Sequence, residues 1–178
     1  LDEEPGHGLA MALSGHLSLY GRSDAATALP QLKAAVAAGP NEALAWLFLA
    51  NALGATGDGD GAVQAIDTAR GLSPVDPLGY YYDVFAASAY SAAGRHEQAL
   101  AFAQRSIDRN VMHLSSWVQL IIEQVLTNRM DDARRSAAHY LSVRPSASVA
   151  RFLDTHVARG TPLARRDADA LLEAGLPT

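Results

Sequence analysis

Cysteine is missing from this sequence. Its absence excludes disulfides, thiolate nucleophiles and cysteine-ligated metals, and it leaves the redox compartment open. Val, Ile and Thr are sparse, which argues against a sheet protein. No run approaches the ~18 consecutive apolar residues of a membrane-spanning helix, so no membrane span is expected. A positive charge balance is also lacking: 14 Lys and Arg stand against 19 Asp and Glu, for a net charge of −5. A nucleic-acid-binding domain normally carries a basic stripe, so nucleic acid is not an expected partner. Eight of the basic residues fall between Arg129 and Arg166. Acids interrupt that cluster, and it reads as a solvated face. The opening Leu1-Asp2-Glu3-Glu4-Pro5 is acidic, has no initiator Met and is not a signal peptide. It reads as the start of a piece cut from a longer protein, with a cytoplasmic location expected.

What is present is alanine and repetition. The 178 residues fit one domain, 49% of them are apolar, and mean hydropathy is +0.01, so a soluble globular class is expected. Ala, the best helix former, is abundant. Self-similarity recurs in fixed steps. Ala28, Ala62, Ala99 and Ala133 step by 34, 37 and 34 residues. Ser23, Gly57, Gly94 and Asn128 keep the same steps, as do Pro40, Pro74, Val111 and Pro145. Trp46 and Trp117 are 71 apart, one short and one long step.

The clearest unit, 43–76, contains Trp46, Leu49, Ala50, Leu53, Ala62, Ile66, Ala69 and Pro74. This spacing resembles the tetratricopeptide-repeat (TPR) pattern of two short helices per unit. Unit 114–147 matches at Trp117, Leu120, Ile121, Ala133, Ala137 and Pro145, and departs at Gln124 and Tyr140. Unit 80–113 is recognised by register, with Asp83 at the Trp position and Val111 at the Pro position. Unit 9–42 is the most degenerate at its start. The resemblance covers about residues 9–147. It implies an all-α fold, a right-handed TPR-type solenoid of helix-turn-helix repeats, with 1–178 as a single domain. Helices over 148–159 and 162–174 are expected to close it, the second opened by Thr161 as N-cap and Pro162 at the first position. Within the units, Gly57, Gly94, Asn128 and Ser23 are expected at the tight inter-helix turns. Pro77-Leu78-Gly79, the extra residues of the long step, are expected either to lengthen a loop or to extend the next helix.

Leu72-Ser73-Pro74-Val75-Asp76-Pro77 and Leu171-Leu172-Glu173-Ala174-Gly175-Leu176-Pro177 are similar to segments of the C-terminal TPR region of bacterial class III adenylate cyclases and winged-helix transcriptional regulators. No cyclase or DNA-binding motif accompanies them, so that resemblance implies at most an accessory part of such a protein.

Chemistry is not indicated. The six His, at 7, 16, 96, 113, 139 and 156, include no i, i+4 pair and no H-E-x-x-H. Asp58-Gly59-Asp60-Gly61 has a faint likeness to a calcium loop, but Ala62 and Ala69 stand where further ligands are needed; it reads as a turn. Neither a phosphate-binding Gly loop nor a nucleophile elbow occurs. No catalytic residue, metal or cofactor is expected, and the chain is not expected to be an enzyme.

The resemblance implies that the first helix of each unit lines a concave surface. Helical spacing then selects a face: Ala10, Leu13, Leu17 and Tyr20; Leu44, Leu47, Asn51 and Gly54; Tyr81, Val84, Ser88 and Ser91; Ser115, Val118, Ile122 and Val125. This face is mostly apolar, and contiguous exposed apolar surface often binds a partner. The expected function is a scaffold for protein–protein interaction or self-association, the regulatory part of a larger bacterial protein. The expected partner is a protein or peptide, such as an amphipathic helix, or a second copy of the chain. The site residues expected are Leu13, Leu17, Tyr20, Leu44, Leu47, Asn51, Tyr81, Val84, Ser88, Val118 and Ile122. The alternatives are an accessory segment of a signalling enzyme or transcriptional regulator, or a freestanding envelope-assembly adaptor. The shortage of Lys, Arg and Asn on the face argues against a carboxylate clamp.

Overall fold

A computed structural model describes residues 7–22 and 24–178. Among them are ten helices and no strand: α1 His7–Arg22, α2 Ala25–Ala38, α3 Ala43–Ala55, α4 Gly59–Leu72, α5 Gly79–Ala92, α6 His96–Arg109, α7 Leu114–Leu126, α8 Met130–Val143, α9 Val149–Thr155 and α10 Pro162–Glu173. The first eight pack as hairpins, α1 with α2, α3 with α4, α5 with α6 and α7 with α8. Each hairpin then stacks on the next, both through sequential helices and directly through α1, α3, α5 and α7.

The hairpins close by one device. Gly57, Gly94 and Asn128 take positive φ angles of 91°, 72° and 60°. The next amide in each case turns back on the helix: Asp58 N donates to Leu53 O at 2.9 Å, Arg95 N to Tyr90 O at 2.8 Å, and Arg129 N to Gln124 O at 2.7 Å. These bonds satisfy carbonyls that the helix end would leave open. Ser23, expected at the first turn, lies outside the described residues. Asp58 is the N-cap of α4, accepting from Gly61 N at 2.9 Å, and Asp60 pairs with Arg95 at 2.6 Å.

Alanine sets how closely the helices approach. Ala28, Ala62, Ala99 and Ala133 are fully buried, as are Ala50 and Ala87. Larger side chains there would overpack, at about 1–3 kcal/mol each. The long step is divided: the 73–78 link between hairpins has two residues more than the 39–42 and 110–113 links, and α5 has one more than α3 or α7. Asp76 organises that loop, accepting from Leu78 N at 2.8 Å and Ser73 Oγ at 2.7 Å. The Leu78 amide and then the Ser73 hydroxyl hold its carboxyl below the usual value.

The C-terminal segment leaves the repeat geometry. Helix α9 ends at Thr155, short of 159, because His156 is extended at φ −70°, ψ 129°. Thr161 caps α10, accepting from Ala164 N at 3.3 Å, with Pro162 at its start. Helix α10 packs on α7 and α9. Between them, Ala158 is buried in the same core cluster as α1–α5, with Val157 and Leu163 against it. The segment thus runs back across the first-helix side of the solenoid rather than only shielding its last hairpin.

Candidate partner-binding groove

The first helices and the returning segment enclose an elongated groove of about 510 Å³. His16 and Tyr20 of α1 stand at one end, and Ala50, Asn51 and Gly54 of α3 follow. Tyr81, Val84, Phe85 and Ser88 come from α5, and Ser115, Val118 and Gln119 from α7. The opposite wall is the C-terminal segment, with Arg144, Arg151, Phe152, Thr155, His156, Leu163, Arg166 and Asp167.

Six of the eleven residues expected at the site come together here: Tyr20, Asn51, Tyr81, Val84, Ser88 and Val118. Leu13 and Leu17 are exposed on α1 at 46% and 68% but do not line the groove. Leu44 is half-buried against the α1–α5 core. Two expectations are corrected. Leu47 is 0% exposed and Ile122 2% exposed, so neither presents a surface to a partner. Helix α3 touches α1, α2, α4 and α5, leaving Leu47 no open side. Helix α10 lies on α7, and Ile122 shares a core with Ala168 and Leu171. Val84 is only 5% exposed and forms part of the groove floor.

The groove is more polar than the sequence indicated. Asn51 Nδ2 donates to Tyr20 Oη at 2.9 Å, linking α3 to α1. His16 stacks on Phe48 at 4.0 Å between ring centroids, and burial lowers its pKa. Its Nδ1 is buried without a hydrogen-bond partner. Burial likewise lowers the pKa of His113, so the uncharged ring is favoured at both.

A polar chain runs behind the floor. Ser88 Oγ donates to Gln119 Oε1 at 3.1 Å, and Gln119 Nε2 to Glu123 Oε1 at 2.9 Å. The other Glu123 oxygen is 2.9 Å from His96 Nδ1. Glu123 is fully buried, and desolvation raises its pKa despite these partners. Arg166 fastens the returning segment to α5: Nη1 donates to Ser91 O at 3.1 Å and Nη2 to Ser91 Oγ at 2.8 Å. Asp167 Oδ1 accepts from Arg166 Nε at 2.9 Å, and His156 Nε2 is 3.5 Å from Asp167 Oδ2. The sequence reading places Arg144, Arg151 and Arg166 on a solvated face and misses that they line a groove. Residues after Pro145 carry no repeat register, and no local signal announces that Arg166 will meet Ser91.

Four stacked helical hairpins in common register, three of them closed by matching turns, decide the architecture. The fold is a tetratricopeptide-repeat solenoid. Residues 19–80 match the family profile described as "Tetratricopeptide repeat". Solved structures of TPR proteins agree over nearly the full length of the chain. PilW, a type IV pilus biogenesis factor, superposes with a TM-score of 0.71 at 19% identity, over 97% of this chain and 79% of PilW. A thermophilic TPR protein of Thermus thermophilus, TTC0263, gives 0.66 at 18% identity, over 93% and 99%. YrrB, a TPR protein described as having an unusual peptide-binding site, gives 0.62 at 15% identity, over 97% and 87%. No curated protein matches the sequence. Among the described residues, no helix is long and apolar enough to cross a membrane, and no group of three or more His, Asp or Glu could hold a metal ion.

Proposed function

We propose that this chain is a protein-interaction module whose groove receives a segment of a partner polypeptide, such as an amphipathic helix. The observation that carries the reading is the composition of the groove. Its lining combines the apolar side chains of Tyr81, Val84, Phe85 and Val118 with the hydrogen-bonding groups of Asn51, Ser88 and Gln119. Pockets that fix a ligand combine mainly apolar lining with a few convergent polar groups. Selection of short random peptides on the immobilised chain tests it. Ser88→Trp, which fills the groove, is expected to abolish selection while the helical circular-dichroism signal persists. Gln64→Trp, on the exposed side of α4, is expected to leave it intact. Selection that survives Ser88→Trp contradicts the reading.

A second reading is self-association through α1, favoured by the exposed stripe of Leu13, Leu17 and Tyr20. These residues share one helical face. Light scattering is expected to show a dimer that Leu13→Glu with Leu17→Glu converts to monomer. A wild-type monomer contradicts this reading. On either reading the module acts as a regulatory part of a larger bacterial protein, a cyclase or transcriptional regulator included. That extension is supported by the Leu72–Pro77 and Leu171–Pro177 runs, and a catalytic or DNA-binding domain encoded upstream of Leu1 tests it.

A further inference from the structure

Charge in the groove is distributed against the charge of the chain. The whole sequence carries −5. Yet among the described residues the groove lining holds three arginines, Arg144, Arg151 and Arg166, and one carboxylate, Asp167. Arg166 and Asp167 answer each other at 2.6 Å. Glu123 lies behind Gln119, fully buried and bonded to His96, so it offers no surface charge to the groove. Among the described residues, Arg144 and Arg151 are left without a carboxylate partner. Arg151 is nevertheless held in place, its Nη1 donating to Ser146 Oγ at 3.2 Å. Both are exposed, and both come from the wall that closes the groove at the α8–α9 end.

Two uncompensated guanidinium groups beside an apolar channel define a ligand chemistry. Guanidinium pairs with carboxylate through parallel N–H···O bonds, and the pairing strengthens where neighbouring surface excludes water. Charge complementarity of this kind selects partners and sets register more than it adds raw affinity. We propose that the segment received by the groove is acidic: Asp or Glu side chains pair with Arg144 and Arg151, while an apolar side chain enters between Tyr81 and Val118. This rests on the groove-binding reading and names the partner's chemistry. It differs from the mostly apolar face expected on sequence alone, because Arg144 at the end of the last repeat and Arg151 beyond it do not lie on the first-helix face.

The test uses the full chain and short random peptides, each presented with a free and with an amidated C-terminus. Selected peptides are expected to be enriched in Asp and Glu in both forms. Replacing Arg144→Glu and Arg151→Glu together is expected to weaken the acidic peptides by roughly tenfold or more and to shift selection toward Lys and Arg. Added salt is expected to weaken wild-type binding. Four results overturn the proposal. Selection without acidic enrichment, unmoved by the double variant but lost in Ser88→Trp, leaves the groove reading standing and removes the charge assignment. Acidic peptides whose binding survives the double variant do the same. Binding lost on amidation but indifferent to Asp→Asn and Glu→Gln changes in the peptide assigns the arginines to a chain terminus instead. Selection indifferent to Ser88→Trp, or no selection at all, removes the groove reading and the proposal together.

Discussion

Trp46 and Trp117 make the same hydrogen bond in different hairpins: each indole N–H donates to the carbonyl six residues upstream, Pro40 O at 2.8 Å and Val111 O at 2.9 Å. The rings thus tie the start of α3 and of α7 to the loop before it. The hairpin between them has Asp83 at that position. It is 2% exposed, bonded to Arg105, with Arg109 Nε 3.3 Å from its other oxygen. An aromatic anchor is replaced by a buried ion pair, and the pair reaches from α5 to α6 instead of back to the loop.

Buried ion pairs are costly to break but seldom better than apolar packing. Arg105→Ala is expected to destabilise the chain by about 1–2 kcal/mol, less than for a fully buried pair, because Arg105 is 41% exposed and Arg109 remains. Asp83→Leu together with Arg105→Leu, which replaces the pair rather than breaking it, is expected to be neutral or stabilising. Urea denaturation of both variants checks the order. Greater stability in Arg105→Ala than in the Asp83→Leu, Arg105→Leu double variant contradicts it.

Two glycines of α4 are expected to respond oppositely to alanine. A Cβ on Gly59 would lie 2.6 Å from the carbonyl of Ala92 and from Cα of Ala93, backbone that cannot move aside. Gly59→Ala is therefore expected to cost about 1–3 kcal/mol by overpacking. Gly71 has nothing within 4 Å of a Cβ. Gly71→Ala is expected to stabilise by about 0.5 kcal/mol, through helix propensity and a less flexible unfolded chain. Thermal melts of the two variants check the signs.

The matched turns carry a related prediction. Asn128 holds a φ of 60°, and Gly94 one of 72°. Gly94→Ala is expected to cost about 1–2 kcal/mol, the strain of placing a Cβ in left-handed backbone. Asn128→Gly relieves a similar strain and is expected to change stability by only a few tenths of a kcal/mol. Chemical denaturation measures both.

Glu123 predicts a pH signature. Its folded pKa is raised above the ordinary 4.5 by burial. Well below 4.5 folded and unfolded chains both hold this proton. Between 4.5 and the raised value the folded chain holds more of it, so stability falls as pH rises through that window. Glu123→Gln cannot ionise, and the same decline is expected to be missing from its profile. Unfolding free energies of the two proteins across the window check this. Parallel profiles contradict the assignment.

The turns and the helix order were legible because Gly57, Gly94 and Asn128 share one geometric demand and the buried alanines another. Such local requirements leave a periodic trace. Six residues of the groove lining were legible for the same reason: Tyr20, Asn51, Tyr81, Val84, Ser88 and Val118 follow helical spacing. Leu47 and Ile122 were misplaced because spacing identifies a face of a helix without saying what covers it. The arginines of the basic wall were visible as part of the Arg129–Arg166 cluster, but nothing in their spacing shows that they face a groove rather than solvent. The meeting of Arg166 with Ser91 spans 75 residues and depends on α10 folding back over α7.

The most direct measurement is an NMR titration of the chain with a peptide selected on it. The account predicts amide shifts at Asn51, Ser88, Gln119 and Arg151, on both sides of the groove, with α4, α6 and α8 quiet along their exposed faces. Shifts confined to those outer faces, with the groove amides unmoved, would contradict it.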